Sequence, residues 1–275
     1  MEEWQKKMNE KGGELNSDDM SRSARYARDL VDGLAKVEQF PLGVTIFGSA
    51  RFDKNDEYYK AAENLGKRLA QNNHTVITGG GPGVMEAANR GAFEQGGRTI
   101  GFNIHLATEQ DLNPYTTDSM EFHYFFSRKL MMTLAAKVYV FFPGGFGTMD
   151  EFAEILELKH TGKSVNTPIF LFGSKFWKGL DDWFAGPMSQ MELIETGQRG
   201  ELREMDFREN SEYEQKVSRK PAADEHLQIA KNARDLYTIT DDIEEIIAAA
   251  NAVETENINH RIDEMMRDDV ENYRI

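Results

Sequence analysis

Nine consecutive residues combine what is needed to hold a phosphorylated molecule and to act on it: Pro143-Gly144-Gly145-Phe146-Gly147-Thr148-Met149-Asp150-Glu151. They follow the apolar run 138–142 and precede a helical pattern. A strand that breaks into glycines and then opens a helix presents bare backbone N–H groups, which suit phosphate. A phosphate cradle has no need of a carboxylate, because like charges repel. Glu151 therefore points to chemistry on the same molecule at some distance from its phosphate. The spacing also has a purely local reading. Thr148-x-x-Glu151 is the pattern of a capping box, in which each side chain bonds the other's backbone N–H. Asp150 is a competing carboxylate directed elsewhere on the helix, and Phe146 can stack on a base or simply pack.

Two further strand-like runs end in glycine-bearing turns, Gly48-Ser49-Ala50 and Gly79-Gly80-Gly81-Pro82-Gly83. In a parallel sheet all three turns share one rim, which favours a nucleotide or sugar-phosphate site and makes Ser49, Gly80, Gly81, Gly83 and nearby Glu86 candidate contacts. The turns fail the established spacings. No glycine cluster carries the lysine of a P-loop, and the third position of Gly-x-Gly-x-x-Gly is filled by Val84, Glu86 or Asp150. Triphosphate hydrolysis and nicotinamide-dependent hydride transfer are thereby disfavoured. Arg128 and Lys129 stand between aromatic and apolar runs at the expected start of a helix, near the same rim, where a guanidinium suits phosphate or carboxylate. Their alternative is a surface pair. Glu109 lies in the long connection 105–121 and is a candidate contact or a solvated loop glutamate. The histidines form no metal-binding spacing, no Gly-x-Ser-x-Gly elbow occurs, and no metal or cofactor is expected.

The elements that must carry these residues alternate. Strand-like runs fall at 43–47, 74–78, 98–104, 137–142, 168–172 and 236–240, with helical patterns at 56–71, 83–95, 125–136 and 149–161. This predicts an α/β chain with a Rossmann-like, doubly wound, mostly parallel sheet flanked by helices, whose ligand lies beyond the carboxyl ends of the strands. The 275 residues divide into a charged helical extension (1–38), one catalytic domain (39–248) with a charged insertion at about 185–227, and an acidic helical tail (249–275). With net charge −15 the chain is a poor nucleic-acid binder. The absence of cysteine, of an apolar membrane span and of a secretory leader suggests a cytoplasmic protein.

Taken together, Gly79 to Ala88, Arg128-Lys129 followed by Met132, and Pro-Gly-Gly-Phe-Gly-Thr-x-x-Glu at 143–151 resemble the Lonely Guy (LOG) family, over roughly 40–183 and again near 236–248. The resemblance implies a Rossmann-like homodimer or higher homo-oligomer that hydrolyses the N-glycosidic bond of nucleoside 5′-monophosphates. It implies Arg128 and Glu151 as the catalytic pair, and Lys129, Gly144, Gly145, Gly147 and Thr148 as nucleotide-binding positions. Glu109 corresponds more loosely to a substrate-contacting glutamate. The expected partner is AMP or an N6-modified AMP, with neither nucleic acid nor membrane involved. A non-catalytic nucleotide or phosphorylated-cofactor carrier on the same fold is the alternative. Some members carry a lysine decarboxylase label, which would call for pyridoxal phosphate on a lysine. The strongest motif contains none, and the rim is expected to offer only Lys129.

Overall fold

The computed structural model describes residues 17–39, 41–104, 112–161, 167–191, 193–194 and 236–253. Helix α1 (Ser17–Val37) leads into β1 (Gly43–Phe47), α2 (Glu57–Gln71), β2 (Val76–Thr78), α3 (Val84–Phe93) and β3 (Thr99–Ile104). There follow β4 (Asp118–Phe122), α4 (Phe125–Leu134), β5 (Ala136–Phe141), α5 (Phe146–His160) and β6 (Ile169–Phe172). Helix α6 (Ser174–Trp183) runs into a π-helical turn (Phe184–Met188), and β7 (Thr238–Thr240) and α7 (Ile243–Ala252) complete the described chain. Among the described residues no helix is long and apolar enough to cross a membrane.

The seven strands form one sheet in the order β4-β3-β2-β1-β5-β6-β7, every pairing parallel. The chain winds outward from β1 in one direction and then from β5 in the other, which is the doubly wound, Rossmann-like arrangement. The winding reverses between β1 and β5, and in such sheets the crevice at that reversal is where ligands bind.

Alternate strand residues face opposite layers. Val44, Ile46, Val138 and Val140 meet Tyr59, Leu65 and Leu69 of α2, Val84 and Ala88 of α3, and Ile246 and Ile247 of α7. Phe47, Tyr139 and Phe141 meet Val37 of α1, Met131 and Met132 of α4, Phe152 and Ile155 of α5, and Trp177 of α6. Each such fully buried aliphatic or aromatic side chain contributes roughly 1.5–3 kcal/mol by leaving water, so both faces anchor the rim firmly.

Three differences from the sequence reading bear on the site. The connection 105–121 contains an edge strand, β4, with sequence Asp-Ser-Met-Glu-Phe; only Phe122 is buried, and Asp118 is held by Lys36 of α1 at 2.8 Å. Helix α5 starts at Phe146, three residues before the expected 149, so its first turn lies inside the glycine motif. Helix α6 was not anticipated at all. Most of the 185–227 insertion and the tail beyond 253 lie outside the described residues.

Candidate functional site

The three glycine-bearing turns are stitched together at the carboxyl rim by the backbone. Ser49 N–H donates to Pro143 O (3.0 Å), and Val84 N–H donates to Ser49 O (3.1 Å). A cleft of about 1000 Å³ opens above them, straddling the winding reversal. Arg128, Glu151, Ser49 and the run Gly144 to Thr148 all line it.

The turn after β5 is left open. Gly145 is the N-cap of α5 and no side chain caps the helix, so the capping-box reading of Thr148 and Glu151 is overturned. The reason is the early helix start: Thr148 already sits in the first turn, and Glu151 belongs to the next. The leading N–H groups of a helix have no acceptor within it, and those of α5 face a cleft with an anion-attracting dipole end. Gly144 is demanded internally, since a Cβ there would collide with the Thr148 side chain. For Gly145 and Gly147 a Cβ would meet nothing within 4 Å. Their lack of side chains answers no packing need. Phe146 stands between them, 95% exposed.

The turn after β2 is built differently. Gly80 N–H donates to Thr78 Oγ1 (3.0 Å), while the carbonyls of Gly80 and Gly81 accept from Asn113 N (2.8 Å) and Asn113 Nδ2 (3.1 Å). Behind them Asn89 is a buried hub, accepting from Thr78 Oγ1 (2.6 Å) and Asn113 Nδ2 (3.0 Å) and donating to Thr99 Oγ1 (2.6 Å). Gly80 and Gly83 have φ of 72° and 71°, conformations that favour glycine for backbone reasons. Contrary to the sequence reading, Gly80, Gly81 and Gly83 are buried and do not line the cleft. Glu86 is also outside it, accepting from Tyr59 Oη at 3.0 Å; burial, followed by this glutamate, pushes the Tyr59 phenol up to about 12. What this turn does contribute is a seat. Gly79 lies directly under the Arg128 guanidinium, where any Cβ would collide.

Arg128 is 9% exposed, and its Nε donates to Phe102 O at 2.8 Å. Burial works against its charge, and Glu151 favours it. Glu151 is partly buried on the inner side of α5, and burial raises its pKa to about 7 against the opposing pull of Arg128. Met85 and Met132 complete an apolar wall beside them. Lys129 and Asp150, both expected at the ligand, pair with each other instead at 3.0 Å, and Lys129 also binds Glu154. A single residue step turns the helix by about 100°, which directs 129 away from the face that carries 128. Glu109 lies outside the described residues.

Sequence reasoning missed several contributors. Asp29 of α1 accepts from the N–H groups of His123 (2.9 Å) and Tyr124 (3.2 Å) and from Ser127 Oγ (3.1 Å), so it caps α4, whose own N-cap Tyr124 makes no side-chain bond. It thereby fixes the helix that presents Arg128. Arg51, Phe52, Tyr58, Lys175 and Phe176 also line the cleft. Lys129 is therefore not the rim's only lysine; among the described residues, Lys175 on α6 is the one in the cleft wall.

Fold and site define a doubly wound α/β protein with an anion-accepting cleft that also holds a carboxylate and a buried guanidinium. Residues 85–210 match a family described as "Possible lysine decarboxylase". The cytokinin riboside 5′-monophosphate phosphoribohydrolase of Rhodococcoides fascians is 26% identical over 149 residues, 53% of this chain and 75% of its own length. The protein of the same description from Mycobacterium marinum is 26% identical over 143 residues, 51% of this chain and 73% of its own. These matches show that the chain is similar to the Lonely Guy family. Among solved structures, the Moco carrier protein of Chlamydomonas reinhardtii is 22% identical, covering 77% of this chain and 96% of its own with a TM-score of 0.46, a likeness too distant to say anything of the ligand.

Proposed function

We propose that the protein hydrolyses the N-glycosidic bond of a nucleoside 5′-monophosphate, AMP or an N6-modified AMP, to free base and ribose 5-phosphate. The observation that carries this reading is Glu151, whose burial raises its pKa to about 7 in a cleft shared with Arg128 and the uncapped N-terminus of α5. Phosphate held by the amides of that N-terminus fixes the sugar, so that a remote group positions the reacting bond. Breaking the bond between C1′ and the base nitrogen builds positive charge on the ribose. Ionised Glu151 stabilises that charge and takes a proton from the attacking water, whose oxygen bonds to C1′ as the base leaves with a proton taken from solvent. Arg128, buried beside β2 and β3, acts by orienting Glu151 and keeping part of it ionised rather than by gripping phosphate. The names of the relatives support the same chemistry. The decarboxylase description finds less support, since a Schiff base needs a lysine beside the reacting groups: Lys129 is clamped by Asp150 and Glu154, and Lys175 stands on α6, across the glycine turn from Arg128 and Glu151.

Incubation with AMP, followed by chromatography, should show adenine and ribose 5-phosphate in equal amounts. Glu151→Gln should cut turnover by about 10²–10⁴ while leaving AMP affinity within a few-fold. Because the ionised form is the active one, kcat/KM should rise with pH through about 7. No base release across a panel of nucleoside monophosphates would sink the proposal, and AMP retention without turnover would leave a carrier. Assembly into a homo-oligomer belongs to the same proposal. It is supported by the exposed rings of Tyr26, Phe125 and Phe126 grouped with Tyr124 on α1 and α4, and light scattering on the purified chain tests it.

A further inference from the structure

A mononucleotide stretched from the α5 N-terminus to Glu151 uses only part of the cleft. The volume of about 1000 Å³ is at the top of the range of roughly 300–1,000 Å³ usual for small-molecule pockets. Its walls extend in two directions from the glycine turn. On one side Arg128 sits over Gly79, at the end of β2, and bonds Phe102 of β3. On the other, Lys175 and Phe176 begin α6, directly after β6. From β2 through β1 and β5 to β6 is three inter-strand steps of about 4.8 Å, or roughly 14 Å. The phosphate position, between the ends of β1 and β5, falls midway.

The β6 side has its own chemistry. Phe52 and Tyr58 form a tilted ring pair with centroids 5.4 Å apart. Phe176, 43% exposed, is held edge-on by Trp177 at 5.0 Å. Arg51 and Lys175 line the same cleft and have no ion-pair partner within 4 Å among the described residues; Glu57 and Glu151 are the acidic groups in its lining. In a chain of net charge −15 two unpaired cations on one cleft wall favour an anionic ligand. Flat rings beside them favour a planar group, because every base offers a face for stacking.

We infer that the cleft has a second lobe, on the far side of the glycine turn from Glu151, that takes a second phosphate and a second flat ring; the ligand class is a dinucleoside pyrophosphate. This rests on the phosphate position of the proposed function. The 5′-phosphate stays at the α5 N-terminus, the second phosphate meets Arg51 and Lys175, and the second base lies against Phe52, Tyr58 and Phe176.

The test is calorimetric binding to the Glu151→Gln protein, in which turnover is suppressed, with AMP, ADP and diadenosine 5′,5″-diphosphate as probes. The dinucleotide should bind at least about tenfold more tightly than AMP, with ADP between them. Tyr58→Ala combined with Phe176→Ala should remove the dinucleotide's advantage over ADP and leave AMP affinity unchanged. Should that pair disturb the fold, Arg51→Ala with Lys175→Ala, both at exposed positions, should bring ADP down to AMP. A dinucleotide that binds no tighter than AMP, or variants that weaken all three probes equally, would overturn the second lobe alone. Failure of AMP itself to bind would overturn the phosphate position as well.

Discussion

The turns at 79–83 and 143–148 look interchangeable in the sequence, each a strand that dissolves into glycines and opens a helix. They do opposite things. In the first, the groups at Gly80 and Gly81 are paired with Thr78 and Asn113, and the glycines are needed for left-handed backbone or for the guanidinium lying on Gly79. In the second, the helix is uncapped, and Gly145 and Gly147 have open space where a Cβ would go. Glycine content alone therefore does not mark a phosphate site. Donors left without an internal partner, together with glycines for which the fold itself has no use, are what set the second turn apart.

Substituting one glycine in each turn would break this contrast most directly. Gly147→Ala should keep or raise thermal stability, since alanine is favoured over glycine inside a helix by up to about 1 kcal/mol. Its Cβ would stand in the cleft, so KM for AMP should rise by an order of magnitude or more. Gly79→Ala should do the reverse: AMP affinity survives better than turnover, because the Cβ displaces Arg128 and frees Glu151. A drop in kcat of about 100-fold, with a loss of folding stability of about 1–3 kcal/mol from overpacking, is expected. Equal effects of the two on KM would mean that the turns share one role.

Asn89→Ala addresses the locked turn from behind. It leaves the buried hydroxyls of Thr78 and Thr99 and the amide of Asn113 each short of a partner. At about 1–3 kcal/mol for an unsatisfied buried polar group, urea unfolding should show a loss of about 3 kcal/mol.

Most of the sheet was readable from the sequence because its strands are short apolar runs, several of them broken by glycine, as at Gly48, Gly79 and Gly173. β4 was not, since an edge strand of Asp-Ser-Met-Glu-Phe shows mostly polar residues to solvent. Arg128 and Glu151 were found through their neighbours in sequence. Lys129 and Asp150 were misread for the same reason: adjacency in sequence ignores the turn of the helix that separates their faces. The Asn89 hub, the Asp29 cap and the α6 wall depend on which strands lie side by side. Ser127 and Asp29 are 98 residues apart, and no local pattern announces such a contact.

Glu151→Gln sharpens the view of the open turn through stability rather than rate. The folded pKa of about 7 lies above the ordinary carboxylate range, so the neutral acid is the form the fold prefers. The native state is thus penalised progressively as pH rises from about 4.5 through 7. The wild type should lose stability relative to Glu151→Gln across that interval, by about 3 kcal/mol, and the gap should level off above it. A difference independent of pH would place the carboxylate in ordinary solvent and remove the reason to regard it as reactive.

The smallest effect comes from α1, the helix that the sequence suggested was an appendage. Burial by itself would raise the pKa of Asp29, but hydrogen bonds from His123 and Ser127 outweigh it and hold the carboxyl below its ordinary value. Its contribution is therefore complete at neutral pH and is lost as pH falls below that value. Asp29→Ala should reduce stability at pH 7 by about 1 kcal/mol, the usual worth of a helix N-cap, and the difference should fade in acid. His123 shares the carboxylate, with its ring nitrogen 3.0 Å away, so His123→Ala should reproduce only a fraction of the loss. Because α4 carries Arg128, the Asp29 variant should also lower kcat for AMP modestly while KM holds. A loss confined to stability would mean that the cap secures α4 to the body without setting the guanidinium over Gly79.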